Sequence, residues 1–414
     1  MLRAKKKIQV FEHQTLYYGR KYGSIFFKEK HFAALAKLNE YHKNKYFTIL
    51  HRGIKFSQYV GVVQIDDLCI EILPKSDNST DDKNVWQKAL IEMLKVTKKL
   101  NVDNVGQANV NKQNIHLLDI YFDWFLKELQ LLIRRGLVKK YYKENGNIKT
   151  LKGKLEFAEH INKNIIHKER FYTSHQVYGK DHLVHQILAQ ALDIVEEMSN
   201  GSYFYSKCKS IKLDFPEVNK IKATEATFSS IPNTRKTLPY KTVLEISRLI
   251  ILNYAPNISS GKENMLALLF DMNSLWEDYI LIRLKNVLKD RLEVFGQKSK
   301  LFWNGITIRP DIVIQDGTET YIIDTKWKNL NGSKPSTNDL RQMYVYNDYW
   351  RSTKSILLYP SSNSEPPKLI NFEGLTETQL HHQCGLGQIS IFNNDNSLLN
   401  TNIGEEILEW FQQN

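Results

Sequence analysis

At 414 residues the chain exceeds the needs of one small core and suits two or three domains. Its 42% hydrophobic and 25% charged residues are ordinary for a soluble globular protein, and no run approaches the ~18 apolar residues that a membrane-spanning helix needs. A net charge of +12 leaves two readings open: a partner made of phosphates, whose counterions Lys and Arg displace, or a merely basic surface.

The opening residues, with Arg3, Lys5, Lys6 and Lys7, are basic but lack the apolar core and small-residue cleavage site of a signal peptide. Cys69, Cys208 and Cys384 are odd in number and far apart, so no disulfide framework is implied. The expectation is a cytoplasmic protein with no membrane association.

In chain order, the first predicted feature is a hairpin over 59–74. Two β-branched runs flank the Asp66-Asp67 turn, and Pro74 ends the second strand before a polar loop over 75–84. Helical spacing follows at 86–100 and again at 115–137, where Leu118, Tyr121, Phe122, Phe125, Leu129 and Leu132 recur at three- and four-residue intervals. The next stretch carries Arg134, Arg135, Lys139, Lys140, Lys143, Lys149, Lys152 and Lys154 interleaved with Tyr141 and Tyr142. Basic and aromatic residues in this mixture suit a nucleic-acid backbone, and they equally suit a solvated face or a protein partner. Helices are predicted over 182–198 and 241–254, separated by an irregular, partly extended stretch with Pro216, Pro232 and Pro239. The breaker-rich Ala255-Pro256-Asn257-Ile258-Ser259-Ser260-Gly261 marks the domain boundary, giving an amino-terminal region 1–255 and a second domain 262–414.

Beyond the boundary the spacing predicts a helix over 266–288, then strands at 301–303, 306–314 and 320–324. A helix over 337–350 and a strand over 355–359 stopping at Pro360 complete an α/β core with a mixed sheet. Within it, Arg309-Pro310-Asp311 opens an apolar strand, and Ile323-Asp324-Thr325-Lys326 closes the next. A turn centred on Gly317-Thr318 sets Asp311 opposite Asp324, and Asp324 shares a face with Lys326 two residues on. Two adjacent carboxylates repel, and a bound cation relieves them; an all-oxygen set with this many carboxylates suits Mg²⁺. Such an ion polarises a phosphoryl oxygen and acidifies water, while Lys326 positions or deprotonates that water or stabilises transition-state charge. Glu277, on the preceding helix, is placed to complete the metal's coordination through a water, or is an ordinary exposed residue. Asp339, Gln342 and Tyr346 share one face of the following helix, where Gln342 is placed to contact the scissile strand or hold Lys326.

Other chemistries lack their motifs. Gly261-Lys262 continues into Glu263 and has Pro256 where a P-loop needs its first glycine, so the chain is not expected to hydrolyse nucleotide alone. His381, His382 and Cys384 cluster without a second ligand pair at zinc spacing.

The chain resembles the McrC family, the endonuclease subunits of McrBC-type restriction systems. The likeness rests on L-W-E-D-Y (275–279), I-R-P-D-I-V-I (308–314), Y-I-I-D-T-K-W-K (321–328), R-Q-M-Y-V-Y (341–346) and L-L-Y-P (357–360). Softer matches are the V-G-V-V and I-E-I-L-P-K pattern over 60–75 and L-K-G-K-L-E-F over 151–157. The resemblance implies a mixed α+β amino-terminal domain followed by a PD-(D/E)xK restriction-endonuclease-like domain whose mixed sheet is flanked by helices. It maps the metal-binding and catalytic positions onto Asp311, Asp324 and Lys326. It also implies cleavage of double-stranded DNA with Mg²⁺, in company with a McrB-like AAA+ GTPase ring that the amino-terminal region docks against. The alternatives are a non-catalytic adaptor that keeps the nuclease fold and a stand-alone nuclease for branched or single-stranded DNA.

Overall fold

The computed structural model describes residues 6–75, 82–100, 116–255, 264–288, 292–317, 319–328, 330, 334–373, 382–393 and 398–412. It is a mixed α/β protein with several sheets. Its contacts form two compact units. One, the sheet unit, gathers Lys6–Val63, Leu68–Asn101 and Leu269–Asn414; the other, the helical unit, holds Gln64–Asp67 and Val102–Leu268. A single cut between 255 and 262 therefore separates stretches of chain that pack together, because the first hundred residues supply strands and a helix to the unit that the last 146 complete. Residues 256–261 of the expected linker, with the Gly261-Lys262-Glu263 run, lie outside the described residues.

The sheet unit begins with β1 (Lys6–Phe11) and α1 (Glu29–Tyr41). The expected hairpin follows as β2 (Tyr59–Ile65) and β3 (Leu68–Leu73), with Asp66 at φ 47 in the turn. β1 lies parallel to β3, Ile8 opposite Ile70 and Phe11 opposite Leu73. α2 (Lys83–Val96) starts where Asp82 accepts a bond from the Asn84 amide at 2.8 Å, a side-chain N-cap.

In the helical unit, α3 (Leu117–Arg135) buries the whole predicted apolar face. After it come β4 (Lys140–Ile148), β5 (Lys154–Leu155), α4 (Phe157–Asn164) and β6 (Phe171–Gly179), whose strands pair antiparallel in the order β5-β6-β4. Gly153 of the L-K-G-K-L-E-F stretch has φ +67, and a Cβ there would sit 2.3 Å from the Ser174 carbonyl oxygen, so only glycine fits. Then α5 (Leu183–Met198), α6 (Tyr203–Asp214) and α7 (Lys241–Leu252) follow. α6 occupies part of the stretch expected to be irregular. It buries only Cys208 and Ile211, which is too narrow an apolar stripe to declare itself in sequence.

Residues 266–271, expected as the first turns of a helix, belong instead to strand β7 (Met265–Asp271); helix α8 (Met272–Leu288) starts afterwards. A short continuous apolar run fits a buried strand and a buried helix alike. Asp271 Oδ1 accepts from the Asn273 amide at 3.0 Å where the helix starts.

Next come β8 (Glu293–Gly296), β9 (Lys300–Trp303), β10 (Ile306–Ile308), β11 (Ile312–Asp316) and β12 (Glu319–Thr325). The expected strand over 306–314 is thus two strands, broken at Arg309-Pro310-Asp311, because proline has no N–H for a ladder and constrains the residue before it. α9 (Thr337–Trp350), β13 (Lys354–Ser361), β14 (Ile370–Asn371), β15 (Gln383–Ser390) and α10 (Ile403–Gln412) complete the chain. The six-stranded order is β8-β11-β12-β13-β15-β14, with parallel pairs β12/β13 and β13/β15 in an otherwise antiparallel sheet. β13 does not stop at Pro360: that residue pairs with Ile389, and it lies past the last contact with β12 at Thr325–Leu358, where a missing donor costs little.

One face of this sheet, bearing Val313, Ile322, Leu357 and Tyr359, packs against Met343, Tyr346 and Trp350 of α9. The other meets α10, where the Phe411 ring lies 4.6 Å from that of Tyr321 and Gly387 leaves room for Trp410. Trp276 and Tyr279 of α8 are fully buried; truncating such a side chain costs about 3–5 kcal/mol.

Candidate active site at the end of strand β12

The register of β11 and β12 pairs Ile312 with Ile323 and Asp316 with Glu319, so the next pair outward is Asp311 and Asp324. This is the arrangement expected from sequence; Gly317 of the turn has φ 49, and Thr318 lies outside the described residues. Asp324 alternates with Ile323 and therefore faces α9 together with Ile322.

Asp311 is fixed by its neighbours. Its Oδ2 accepts from both the amide (2.7 Å) and the hydroxyl (2.9 Å) of Thr325. Asp324 is buried, and its Oδ2 makes no well-aligned hydrogen bond; Lys326 Nζ meets it as an ion pair at 2.6 Å. Asp339 of α9 lies 3.6 Å from the same ammonium and 3.1 Å from Lys328. Glu277 stands on α8, held by Gln297 Nε2 at 2.7 Å.

The electrostatics follow from burial and crowding. Burial raises the Asp311 carboxyl above its usual range, against the opposing pull of Thr325, Lys326 and Arg309. Burial and then the Asp311 charge raise Asp324 in the same direction. Glu277 rises to about 7, by burial first and by Asp311 second. For Lys326, burial alone would lower the ammonium, but Asp324, Asp339 and Asp311 outweigh it and hold it above the ordinary lysine value. Burial also pushes Asp339 up, and Ser336, Lys328 and Lys326 overcome it, leaving that carboxyl below its usual value.

Gln342 does not hold Lys326. Its amide donates to Tyr346 Oη at 2.7 Å, and that hydroxyl donates to the Arg309 carbonyl at 2.9 Å. The pair therefore braces the backbone just before Pro310-Asp311, and the α9 residue that meets Lys326 is Asp339. Sequence reading placed Asp339 on this face without a role. It missed Thr325, whose signal was a hydroxyl between the two charged residues of D-T-K. It also missed Glu12, buried at the end of β1, whose Oε1 accepts from Trp327 Nε1 at 2.7 Å and from the Lys75 amide at 2.9 Å. Burial raises Glu12 to about 7. Trp327 lies against Trp276, ring centroids 5.3 Å apart, so the residue after Lys326 is anchored from a second direction.

The carboxylates of Asp311, Asp324 and Glu277 fit a divalent cation on their own chemistry. All three are oxygen donors whose carboxyls burial raises, with the Asp311 charge adding to the rise at Asp324 and Glu277. Elsewhere, His382 Nδ1 contacts the Ser352 carbonyl at 3.1 Å and the Cys384 thiol is pushed up to about 11 by burial; His381 lies outside the described residues. The three cysteines are buried and unbridged.

The profile of the family described as McrBC 5-methylcytosine restriction system component matches residues 54–360. The chain belongs to this family. Every motif on which the resemblance to McrC proteins rests falls inside the matched stretch. A curated McrBC relative, the type IV methyl-directed restriction enzyme EcoKMcrBC of Escherichia coli (strain K12), is 22% identical over 261 residues, 59% of this chain and 74% of the relative. The fold is shared with a chain of the refined half-complex from a tetradecameric assembly of Thermococcus gammatolerans McrB AAA+ hexamers with bound McrC. There the TM-score is 0.68 at 20% identity, over 98% of this chain and 99% of the other. As a member of the McrBC family the protein is a restriction-system component, and among its described residues no helix is long and apolar enough to cross a membrane.

Proposed function

We propose that this chain is the Mg²⁺-dependent DNA endonuclease subunit of a McrBC-type restriction complex, with a PD-(D/E)xK site at Asp311, Asp324 and Lys326. It works in the cytoplasm on double-stranded DNA, once assembled with a GTP-hydrolysing, McrB-like AAA+ ring. The observation that carries this reading is the Asp311–Asp324 pair closed by Lys326 on one face of the sheet. Nothing structural requires three crowded carboxyls there, and burial makes them costly.

Asp311, Asp324 and Glu277 would hold the cation, which when bound supplies neutralising charge and polarises a phosphate oxygen. The chain's own residues do the rest. Thr325 fixes the carboxylate of Asp311, and Gln342 through Tyr346 braces the strand break that presents it. Lys326, ion-paired with Asp324 at 2.6 Å, positions or deprotonates the attacking water or stabilises charge on the phosphate. Glu277, its side chain held by Gln297 Nε2, would complete the cation's coordination through a water. The amino-terminal region 1–255 supplies docking to the ring, and the basic sheet of the helical unit contacts either the ring or DNA. The similarity to a methyl-directed restriction enzyme supports a methylated target.

The test is cleavage of methylated and unmethylated plasmid by the full chain with its AAA+ partner, GTP and Mg²⁺, comparing wild type with Asp324→Ala. Cutting by wild type alone, with the variant still bound to the partner, supports the reading. Equal cutting by both overturns the site and leaves an adaptor.

A further inference from the structure

Between β8 and β11 the chain leaves the six-stranded sheet and forms a separate two-stranded ribbon of β9 and β10. Its turn is Asn304-Gly305, with φ 39 and 82, both left-handed as a tight hairpin requires. Large apolar side chains stand on it in the open: Leu301 is 72% exposed, Trp303 68%, Ile306 53% and Phe302 45%. A two-stranded ribbon has no core to bury them in, and solvent exposure of a tryptophan with three such neighbours is costly unless something covers them.

The root of the ribbon is built into the site. Gln297, just before it, gives its side-chain amide to Glu277 and its backbone amide to the Asp311 carbonyl at 2.8 Å. Arg309, just after it, is braced by Tyr346. The root is also cationic. Lys300 donates to the Tyr349 carbonyl at 2.7 Å, Lys298 to Gln315 at 2.9 Å, and burial with the nearby charges of Lys298 and Arg351 lowers the Lys300 ammonium. From root to tip the order is therefore carboxylates, then cations, then exposed apolar side chains flanking an Asn-Gly turn.

That order matches a duplex seated on the site: one phosphate at the carboxylates, its neighbours at the cations, and base pairs at the tip. We infer that the β9–β10 ribbon is a wedge that enters the minor groove of double-stranded DNA and opens a base step with Trp303 and Leu301, seating the scissile phosphate. The inference rests on the nuclease reading and adds how that site takes its substrate. The side chains flanking the turn are mostly apolar, so the wedge acts through groove shape and base-step stiffness. Ile306, five residues before Asp311, lies within ~17 Å of it along the chain, comparable to the reach from backbone to groove.

The experiment uses the full chain, alone and assembled with its AAA+ partner, in EDTA, with a duplex carrying 2-aminopurine, whose fluorescence rises when its step unstacks. Wild type is expected to raise the signal. Trp303→Ala and Leu301→Ser should abolish it and weaken duplex binding at least tenfold, with Trp303→Phe restoring most of both. Silence from wild type in both states, or an undiminished signal from both tip variants, overturns the wedge. So does a wild-type dimer that Trp303→Ala splits in sedimentation while DNA binding holds, since a second copy then covers the ribbon. The nuclease reading fails separately, through equal plasmid cutting by Asp324→Ala.

Discussion

β12 of the six-stranded sheet and β4 of the three-stranded sheet both carry charge, under opposite conditions. In β12, residues 321–325 are all buried, Asp324 among them, and its acid is displaced from its ordinary protonation by burial and by Asp311. In β4, Tyr141 is 72% exposed and stacks on Tyr178 across the strand pair at 4.8 Å, while Lys143, Glu144 and Asn145 stand in solvent. A buried charge is dear and specific; an exposed one is cheap, and it acts through the number of such charges rather than through any single position. Chemistry belongs to the first kind of place, and long-range attraction to the second.

The sharpest way to break this contrast is Asp311→Asn. It removes one of two repelling acids while keeping an acceptor for Thr325. Cleavage should fall by roughly 10³-fold, about 4 kcal/mol, while the melting temperature holds or rises. A large fall in melting temperature with activity intact would mean that the acids serve packing.

Glu12→Gln tests a buried acid outside the site. Its folded value of about 7 lies above the ordinary 4.5, so the folded state binds the proton more tightly. The resulting stability is fully present below pH 4.5 and is lost as pH rises to 7. Glutamine keeps the acceptor for Trp327 and Lys75 and removes the titration. The variant should gain up to roughly 3 kcal/mol over wild type at pH 8 and little at pH 4.5, read by urea unfolding at the two values. Equal effects at both would show that burial does not shift this carboxyl.

The smallest expected effect is in the exposed sheet. Replacing Lys143, Lys149 and Lys152 by alanine should flatten the salt dependence of duplex binding by about one unit for each phosphate no longer neutralised, with the cleavage rate of bound DNA unchanged. If the salt slope holds and affinity for the AAA+ ring drops instead, this surface belongs to the ring.

Much of the site was legible because strand alternation is a strict rule. Asp324 and Lys326 share a face at a spacing of two, and one turn position fixes the partner of Asp324. Helix α9 was legible for the same reason, its bounds matching the apolar spacing at 337–350. What escaped was everything set by distant contacts. Residues 266–271 form a short apolar run that suits a buried helix or a buried strand, and the pairing of this stretch in the sheet settles it as a strand. The Gln342–Tyr346 bond runs within the helix and so leaves Lys326 to Asp339, which spacing alone cannot foresee. The two units interleave along the chain, and a contact between residues 12 and 327 leaves no local mark in sequence.

That last contact has a meaning for the life of the chain on the ribosome. Glu12 and Trp327 are 315 residues apart in sequence, so at about 5–20 residues per second roughly 15–60 s separate their synthesis. During that interval β1, β2 and β3 have their apolar faces made but the last elements of their unit not yet translated, while the stretch forming the helical unit emerges whole. The nascent protein thus passes through a long stage in which its first strands need shielding from aggregation and the Asp311–Asp324 pair does not yet exist.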